Sequence, residues 1–250
     1  SKKNFKVTYL ILNSIKNKKI YKNEDHIIIN ILSIKKIIDT LKKNNLKQVI
    51  FAGSLKRPSI NDLGFDLDTI KLAKQLLLEK KGDNNLLISI KKFLETKGFI
   101  FFNWTRYCSE LFSIEKNLIN TKPTKFAQQN FIKAKSIYKH FKNIDVGQSI
   151  IVQNQLVLGL EAIEGTDNLI KRCSYYKRKG DRGVLVKFTK KNQSSLIDIP
   201  LVGLATMKSI KKYDYEGIFL EKNKCLIINK NQVIEYANKN KIFISSVDLI

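Results

Sequence analysis

In the first part of the chain, segments with a strand-like apolar pattern alternate with a segment whose apolar positions have helical spacing. Together these patterns predict an α/β fold. Residues 5–12 and 48–53 are apolar-rich runs of β-branched, aromatic and aliphatic residues, typical of strands. Between them, residues 27–46 repeat apolar positions at helical spacing, with lysines on the other face. A strand, a helix and a strand of these lengths form a β-α-β unit. The pattern therefore predicts a parallel sheet with ligands at the carboxyl ends of its strands.

The remaining pattern predicts a second domain after a break near Pro123. We expect a Rossmann-like open parallel sheet in residues 1–118, a linker at 119–124, and an α/β domain with a mixed sheet in 125–250. Residues 149–160 form a strand pair interrupted by Gln153-Asn154-Gln155. Further helices are predicted at 68–79, 86–97, 125–141 and 232–240, and further strands at 99–102, 217–221, 224–228 and 242–246.

An acidic cluster follows the predicted strand pair. Glu161, Glu164 and Asp167 surround Gly165-Thr166, although the chain has only 22 acidic residues against 46 basic ones. Backbone N–H groups at the end of a strand can contact a phosphate, and oxygen ligands of this kind suit Mg²⁺. The alternative interpretation is a solvated turn with an acidic helix cap.

A single carboxylate, Asp198, lies inside the apolar run Leu196-Ile-Asp-Ile-Pro200. A buried carboxylate must be paired, bound to a metal or shifted in pKa. Asp198 is therefore a candidate base or metal ligand, and the alternative is a carboxylate that caps the turn before Pro200.

A basic loop, from Gly53 to Pro58, follows the second predicted strand. Gly53 allows the backbone to approach a phosphate closely, and Lys56 and Arg57 supply positive charge. The loop indicates an anionic ligand such as a nucleotide, unless it is only a surface turn between a strand and a helix.

Composition limits the class of protein. The chain has 250 residues, of which 43% are hydrophobic, enough for one large or two modest cores. No apolar run approaches the roughly 20 residues that a spanning helix needs, and the start does not resemble a signal peptide, so we expect a cytoplasmic protein. The three cysteines, Cys108, Cys173 and Cys225, are widely separated and predict core residues rather than disulfides or a zinc site.

The sequence lacks the residues that several classes of enzyme need for catalysis. His26 and His140 are the only histidines, and neither lies in a cluster of the kind that a two-metal phosphoesterase needs. Neither histidine is close to a nucleophile motif, and the glycine and lysine spacing of a phosphate-binding P-loop is absent.

The net charge of +24 is the strongest compositional bias. Only five of the 46 basic residues are arginine, and the lysines are spread from end to end. Because arginine is preferred for bidentate phosphate and base recognition, this pattern favours a bias in base composition, and we expect no nucleic-acid partner. Lysines close to an anionic membrane could still contribute about 1 kcal/mol each.

Taken in order, seven segments resemble one enzyme family. The likeness is to the UDP-2,3-diacylglucosamine pyrophosphatases of lipid A biosynthesis, in the form unrelated to calcineurin-like metallophosphoesterases. The number, order and spacing of the segments carry it, over nearly the whole chain. The segments are 52–58, 82–87, 145–148, 161–167, 183–187, Gln193 and 198–200.

This resemblance implies an activity and its partners. A member of the family is a two-domain hydrolase that uses Mg²⁺ to split UDP-2,3-diacylglucosamine into UMP and 2,3-diacylglucosamine 1-phosphate, known as lipid X. Water attacks the phosphorus on the sugar side of the pyrophosphate. The resemblance also implies transient contact with the cytoplasmic face of the inner membrane, and it allows a homodimer.

The resemblance assigns roles to individual residues. Asp198, Glu164 and Asp167 are the catalytic candidates, and with Glu161 they form the candidate metal-ligand set. Glu221 matches a family glutamate, although a strand-end carboxylate paired with a lysine is the alternative. The candidate substrate-binding residues are Gly53, Lys56, Arg57, Gln148, Gly165, Thr166, Lys187 and Gln193.

Two departures from the family pattern leave alternatives open. The family opens with a strand and a glycine-rich loop that ends in Leu-Pro, whereas this sequence begins Ser1-Lys-Lys-Asn. Ser194 and Leu196 stand where the family usually carries Asp and Arg. One alternative is therefore a protein that binds the nucleotide-lipid without cleaving it. The other, based on charge alone, is a basic nucleic-acid-binding protein.

Overall fold

A computed structural model divides the chain into two compact units, Ser1–Phe102 and Asn103–Ile250. The α/β class is confirmed, while the domain limits drawn from the sequence stay a prediction. None of the described helices is long and apolar enough to cross a membrane. The structure describes residues 5–12, 21–29, 34–52, 68–71, 83–112, 119–141, 146–189 and 199–248.

The described strands of the first unit pair in parallel. Strand β1 pairs with β2, and β3 pairs with β4. Ile11 of β1 and Ile29 of β2 are buried, as are Ile34, Ile38 and Leu41 at helical spacing. The elements are β1 (Tyr9–Leu12), β2 (His26–Ile29), α1 (Ile34–Lys43), β3 (Gln48–Val49), α2 (Asp83–Thr96) and β4 (Ile100–Phe101).

The prediction of one helix over residues 27–46 is wrong at its start. His26–Ile29 is strand β2, and helix α1 begins only at Ile34. Three consecutive isoleucines are stiff at χ1 and favour a strand, and pairing with β1 satisfies their backbone groups. Parallel pairing with β1, which lies earlier in the chain, therefore outweighs the helical spacing of the apolar residues in this segment.

The second unit is built on a five-stranded mixed sheet, which confirms the prediction. The strand order is β11-β9-β7-β5-β6, with β11, β9 and β7 parallel and β5 antiparallel to both of its neighbours. Strands β8 and β10 form a separate parallel pair. The elements are α3 (Lys125–Phe141), β5 (Ser149–Gln153), β6 (Leu156–Leu160), α4 (Thr166–Ser174), β7 (Val184–Lys187), β8 (Leu201–Val202), α5 (Leu204–Lys212), β9 (Gly217–Glu221), β10 (Leu226–Ile227), α6 (Lys230–Lys239) and β11 (Phe243–Val247).

Helices cover both faces of this sheet. Ile150 and Val152 of β5 point to one face, where they pack in a cluster with residues of α3. Ile151 points to the other face and packs in a cluster with residues of α4, α5 and α6. Helices α4 and α5 have nine residues each and were not predicted, because so short an apolar repeat barely exceeds two turns.

The turn between β5 and β6 matches the predicted break. Asn154 and Gln155 both have positive φ, 50° and 58°, as a two-residue hairpin turn of type I′ requires. The hairpin brings the end of β6 back beside the start of β5, since Ile150 pairs with Leu160. The acidic cluster, which follows β6, therefore lies at the end of the sheet where β5 begins.

Candidate functional site

Four polar side chains meet at the edge of the second unit's sheet where its parallel strands end. Lys187 ends β7, and Ser149 lies directly opposite it at the start of β5. Glu161 follows β6, and Thr166 begins α4. We call Ser149, Glu161, Thr166 and Lys187 the polar quartet. Ligands in open α/β sheets bind outside this edge, so the fold places the quartet where a binding site is expected.

The hydroxyl group of Thr166 links the two charges of the quartet. Lys187 Nζ donates to Thr166 Oγ1 at 2.6 Å and to Ser149 Oγ at 3.3 Å. Thr166 Oγ1 in turn donates to Glu161 Oε1 at 2.9 Å, while Lys187 Nζ lies 4.0 Å from Glu161 Oε2. Lys187 is 4% exposed and Glu161 is 9% exposed. Both charges therefore depend on these contacts, because an unpaired buried charge is costly.

Glu161 also holds the chain before β5. Its Oε2 accepts a hydrogen bond from the backbone N–H of Gln148 at 3.0 Å, and its carbonyl accepts from Gly147 N at 2.8 Å. A Cβ atom at Gly147 would overlap with Cβ and Cγ of Glu161. Glycine is therefore required at 147, which gives a physical reason for the glycine in the Asp-Val-Gly-Gln segment.

Glu164 is bound to an arginine that the sequence interpretation did not single out. Its Oε1 accepts from Arg172 Nη2 at 2.6 Å, and its Oε2 accepts from Ala162 N at 3.1 Å. Arg172 Nη2 also donates to the carbonyl of Leu160 at 3.0 Å. The hydrogen bond from Arg172 lowers the pKa of the Glu164 carboxyl group below its ordinary value. The acidic loop is thus attached to α4 by an ionised pair.

Gly165 opens α4 in a conformation that suits glycine. Its φ of 77° and ψ of 167° lie in a region essentially restricted to glycine, and as the N-cap it provides no side-chain cap. Asp167 lies exposed in the first turn, where a negative charge is favoured by the helix dipole. The beginning of α4 can accept either its own carboxylate or an anionic ligand.

A second buried carboxylate, Glu221, ends the neighbouring strand β9. Its Oε2 accepts from Thr189 N at 2.7 Å and from Thr189 Oγ1 at 2.6 Å. Its Oε1 accepts from Lys224 Nζ at 2.6 Å. The interpretation of Glu221 as a strand-end carboxylate paired with a lysine is confirmed.

Two family models together match most of the sequence. The model described as the LpxI C-terminal domain matches residues 115–245, and the LpxI N-terminal domain matches residues 1–111. The chain belongs to the LpxI family. It is similar to UDP-2,3-diacylglucosamine pyrophosphatase LpxI of Caulobacter vibrioides, with 28% identity over 220 residues, 85% of this chain and 79% of the relative. The family resemblance carried by the seven segments is confirmed.

The described carboxylates of this LpxI family member do not by themselves fit a Mg²⁺ site. Glu161 is engaged by Gln148 and Thr166, and Glu164 by Ala162 and Arg172. Within the described ranges, no three His, Cys, Asp or Glu side chains are grouped so that they could hold a metal ion. The fourth predicted ligand, Asp198, lies outside the described residues.

Other predicted site residues also lie outside the described part of the chain. These are Gly53, Lys56, Arg57 and Gln193, together with the two departures from the family pattern, Ser194 and Leu196. Of the predicted set, the structure brings together Glu161, Thr166, Lys187 and the backbone of Gln148. The sequence interpretation did not identify Ser149 and Arg172 as site residues. Each contacts the other site residues only in the folded chain, and neither its residue type nor its spacing along the sequence indicates those contacts.

The cysteines of the second unit's core are protonated thiols. Cys173 and Cys225 are fully buried, as predicted, and Cys108 is half-buried. Burial raises the pKa of Cys173 to about 11 and that of Cys225 to about 12. Neither thiol has the lowered pKa of a cysteine nucleophile.

Proposed function

We propose that this chain hydrolyses the pyrophosphate bond of UDP-2,3-diacylglucosamine to UMP and 2,3-diacylglucosamine 1-phosphate. The polar quartet is the observation that carries the proposal, because it sets a buried ammonium group beside an uncapped helix at the carboxyl edge of the sheet. Membership of the LpxI family and the activity in the Caulobacter vibrioides relative's name supply the substrate.

Phosphate binding is the role that we propose for the beginning of α4. The backbone N–H groups that follow Gly165, the hydroxyl group of Thr166 and the ammonium group of Lys187 favour an anion at this end of the helix. Negative charge increases on the pyrophosphate oxygens as the bond breaks, and fixed cations and N–H groups stabilise it. Gln148 and Gln193 complete the proposed substrate contacts in this unit.

The first unit binds the uridine nucleotide in this proposal. We assign it a Rossmann-like open sheet, supported by the parallel pairing of β1 with β2 and of β3 with β4. Gly53, Lys56 and Arg57 follow β3 in the sequence, where the carboxyl end of a parallel strand favours a phosphate-binding loop.

Asp198 is the proposed base. Water forms the new bond to the phosphorus on the sugar side, the bridging P–O bond breaks, and UMP leaves with the bridging oxygen. The carboxylate of Asp198 takes a proton from the water, and Glu164 and Asp167 remain the other catalytic candidates. A requirement for Mg²⁺ stays a prediction, and the binding roles proposed for Lys187 and Thr166 do not depend on it.

The substrate also suggests where the protein works. A diacylated sugar nucleotide resides in a bilayer, so we propose peripheral, transient association with the cytoplasmic face of the inner membrane. The distributed lysines favour contact with anionic lipids. The family resemblance also allows a homodimer.

Release of UMP from UDP-2,3-diacylglucosamine in detergent tests the proposal. We expect release in Mg²⁺ that a chelator abolishes and that the Asp198→Ala variant loses. Glu235→Ala, at an exposed position of α6, is the matched control and should retain full turnover. Turnover that persists in Asp198→Ala would refute its assignment as the base.

Binding without turnover is the second candidate function. Ser194 and Leu196 favour it, since they replace an acid and a base of the family pattern. Tight binding of UDP-2,3-diacylglucosamine by the folded chain, with no release of UMP, would establish this candidate and exclude hydrolysis.

A further inference from the structure

The outer face of α4 carries basic and aromatic side chains. At about 100° per residue, positions 168, 171, 172 and 175 project within an arc of roughly 100°. All four are exposed, whereas the opposite side of the helix is buried in the core. We call Asn168, Lys171, Arg172 and Tyr175 the outer face of α4, and the buried residues opposite them are Leu169, Ile170 and Cys173.

Large apolar and aromatic groups project at both ends of this face. Ile163 is 98% exposed, Tyr175 is 75% exposed and Tyr176 is 60% exposed. Ile163 is held beside the helix, because the next residue, Glu164, is bound by Arg172 at 2.6 Å. Tyrosine has an apolar ring and a polar hydroxyl group, which suit the boundary between a bilayer and water.

The segment around the end of α4 is also the densest group of arginines. Residues 171–182 contain six basic residues and one acidic residue. Arg172, Arg178 and Arg182 are three of the five arginines in the chain. Since most basic residues are lysines spread along the sequence, this cluster departs from the compositional bias. Arginine is the side chain best suited to bind phosphate groups.

The loop after α4 is rigidly held. Gln153, which is 2% exposed, donates from Nε2 to the carbonyls of Arg178 at 2.9 Å and Asp181 at 2.6 Å. Its Oε1 accepts from Arg178 N at 2.8 Å, and Asn154 Nδ2 donates to the carbonyl of Lys179 at 3.1 Å. Arg178 and Lys179 are exposed, and their side chains make no hydrogen bond or ion pair within the described residues. The backbone that carries these two cations is thus fixed, and their side chains are available to an external partner.

We propose that the outer face of α4, with Ile163, Tyr176 and the Arg178–Arg182 loop, docks on an anionic phospholipid bilayer. The inference rests on the proposed function, which requires a diacylated substrate to be taken from a membrane. Ile163 and the tyrosines enter the interface, while Lys171, Arg178 and Lys179, whose side chains are exposed, face lipid phosphates. The basic side chains are complementary in charge to anionic lipid headgroups, and the exposed apolar groups can enter the bilayer. Together these two features favour a bilayer as the partner.

Docking in this orientation serves the site directly. The loop of residues 161–166 carries Ile163 and also contains Glu161 and Thr166 of the polar quartet. When Ile163 contacts the bilayer, this loop lies at the membrane surface, where the headgroup of the substrate is located.

Vesicle sedimentation of the full chain tests the docking surface. We expect binding to phosphatidylcholine vesicles that contain phosphatidylglycerol, little binding to pure phosphatidylcholine, and weakening by salt. Removal of two basic residues in Arg178→Ala/Lys179→Ala should lower vesicle affinity roughly thirtyfold. The control, Lys125→Ala/Lys139→Ala, makes the same charge change at exposed positions of α3 and should retain most of the binding.

The aromatic contribution is tested in the same assay. Tyr175→Ser/Tyr176→Ser should weaken binding, whereas Phe126→Ser/Ile132→Ser should not, although both α3 residues are more than half exposed. Equal losses in each variant and its control would overturn the proposal, as would equal binding to neutral vesicles. If these two docking-surface variants lose affinity for a single-stranded RNA oligonucleotide but keep vesicle binding, the surface is a nucleic-acid site and the proposal is wrong.

Turnover separates this inference from the proposed function. Arg178→Ala/Lys179→Ala and Tyr175→Ser/Tyr176→Ser should release UMP normally from detergent-dispersed substrate and slowly from substrate in anionic vesicles. If vesicle binding follows the expected pattern but the protein hydrolyses neither detergent-dispersed nor vesicle-bound substrate, the proposed hydrolysis is overturned and docking is supported. Normal turnover by a wild-type chain that does not bind vesicles would overturn docking alone.

Discussion

Thr166 connects Lys187 to Glu161 through a single hydroxyl group. That group accepts from Lys187 at 2.6 Å and donates to Glu161 at 2.9 Å, so it satisfies both charges at once. Valine has nearly the same shape and cannot make either contact.

We expect Thr166→Val to lower the free energy of unfolding by about 1–3 kcal/mol, because it removes one hydrogen bond from each of two buried charged groups, Lys187 and Glu161. The rate of UMP release should also fall, since the ammonium group of Lys187 is no longer held at the start of α4. Thr166→Ser keeps the hydroxyl group and is the control. Urea unfolding together with the UMP assay measures both effects, and equal behaviour of the two variants would contradict the bridging role.

Gly147 is a test of close packing at the same site. Gly147→Ala places a methyl group against the side chain of Glu161, so we expect a loss of about 1–3 kcal/mol in unfolding free energy. At Gly203 the nearest atom to an added methyl group is Ile228 Cβ at 3.9 Å, so Gly203→Ala should stay within about 0.5 kcal/mol of the wild type. Urea unfolding of both variants checks the difference, and a Gly147→Ala protein as stable as Gly203→Ala would refute the packing argument.

At the scale of elements, the pair Glu164–Arg172 attaches the acidic loop to α4. Because the folded pKa of Glu164 is below its ordinary value of 4.5, the stability from this pair is present above that value. It is lost as pH falls further, through the folded pKa. Side-chain exposures of 24% for Glu164 and 44% for Arg172 limit the contribution to about 0.2–1 kcal/mol.

We expect Glu164→Gln to be less stable than the wild type at pH 7 and to approach it below about pH 4. Thermal unfolding across this range measures the difference, with Glu235→Gln, exposed on α6, as the control. A difference between Glu164→Gln and the wild type that grows on acidification would show that the sign of the linkage is wrong.

At the scale of the whole molecule, a net charge of +24 makes non-specific contact with polyanions the main competing interaction. We expect only weak binding to single-stranded RNA, steeply reduced by salt and independent of base sequence, because the lysines are spread along the chain. Fluorescence anisotropy with oligonucleotides of different sequence, at low and physiological salt, provides the measurement. Tight, sequence-dependent binding at physiological salt would revive the nucleic-acid alternative.

The family could be recognised from the sequence because its segments are local. Glu161-Ala-Ile-Glu-Gly-Thr-Asp167 is contiguous, and the hairpin that precedes it is marked by a polar break between apolar strands. Such features depend on neighbouring residues, so the α/β class, the mixed sheet and the acidic cluster all follow from the chain read in order.

The partners in the site are different, since they come from distant positions. Lys187 meets Ser149 over 38 residues, and Arg172 meets Glu164 over eight, after β6 has turned into α4. The sequence by itself determined the family, the α/β class and the mixed sheet of the second unit. Only the tertiary structure decided that Glu161 and Glu164 are engaged by Lys187, Thr166 and Arg172. The reason is that strand pairing and helix packing set which charged and polar side chains come into contact, and no local pattern encodes that proximity.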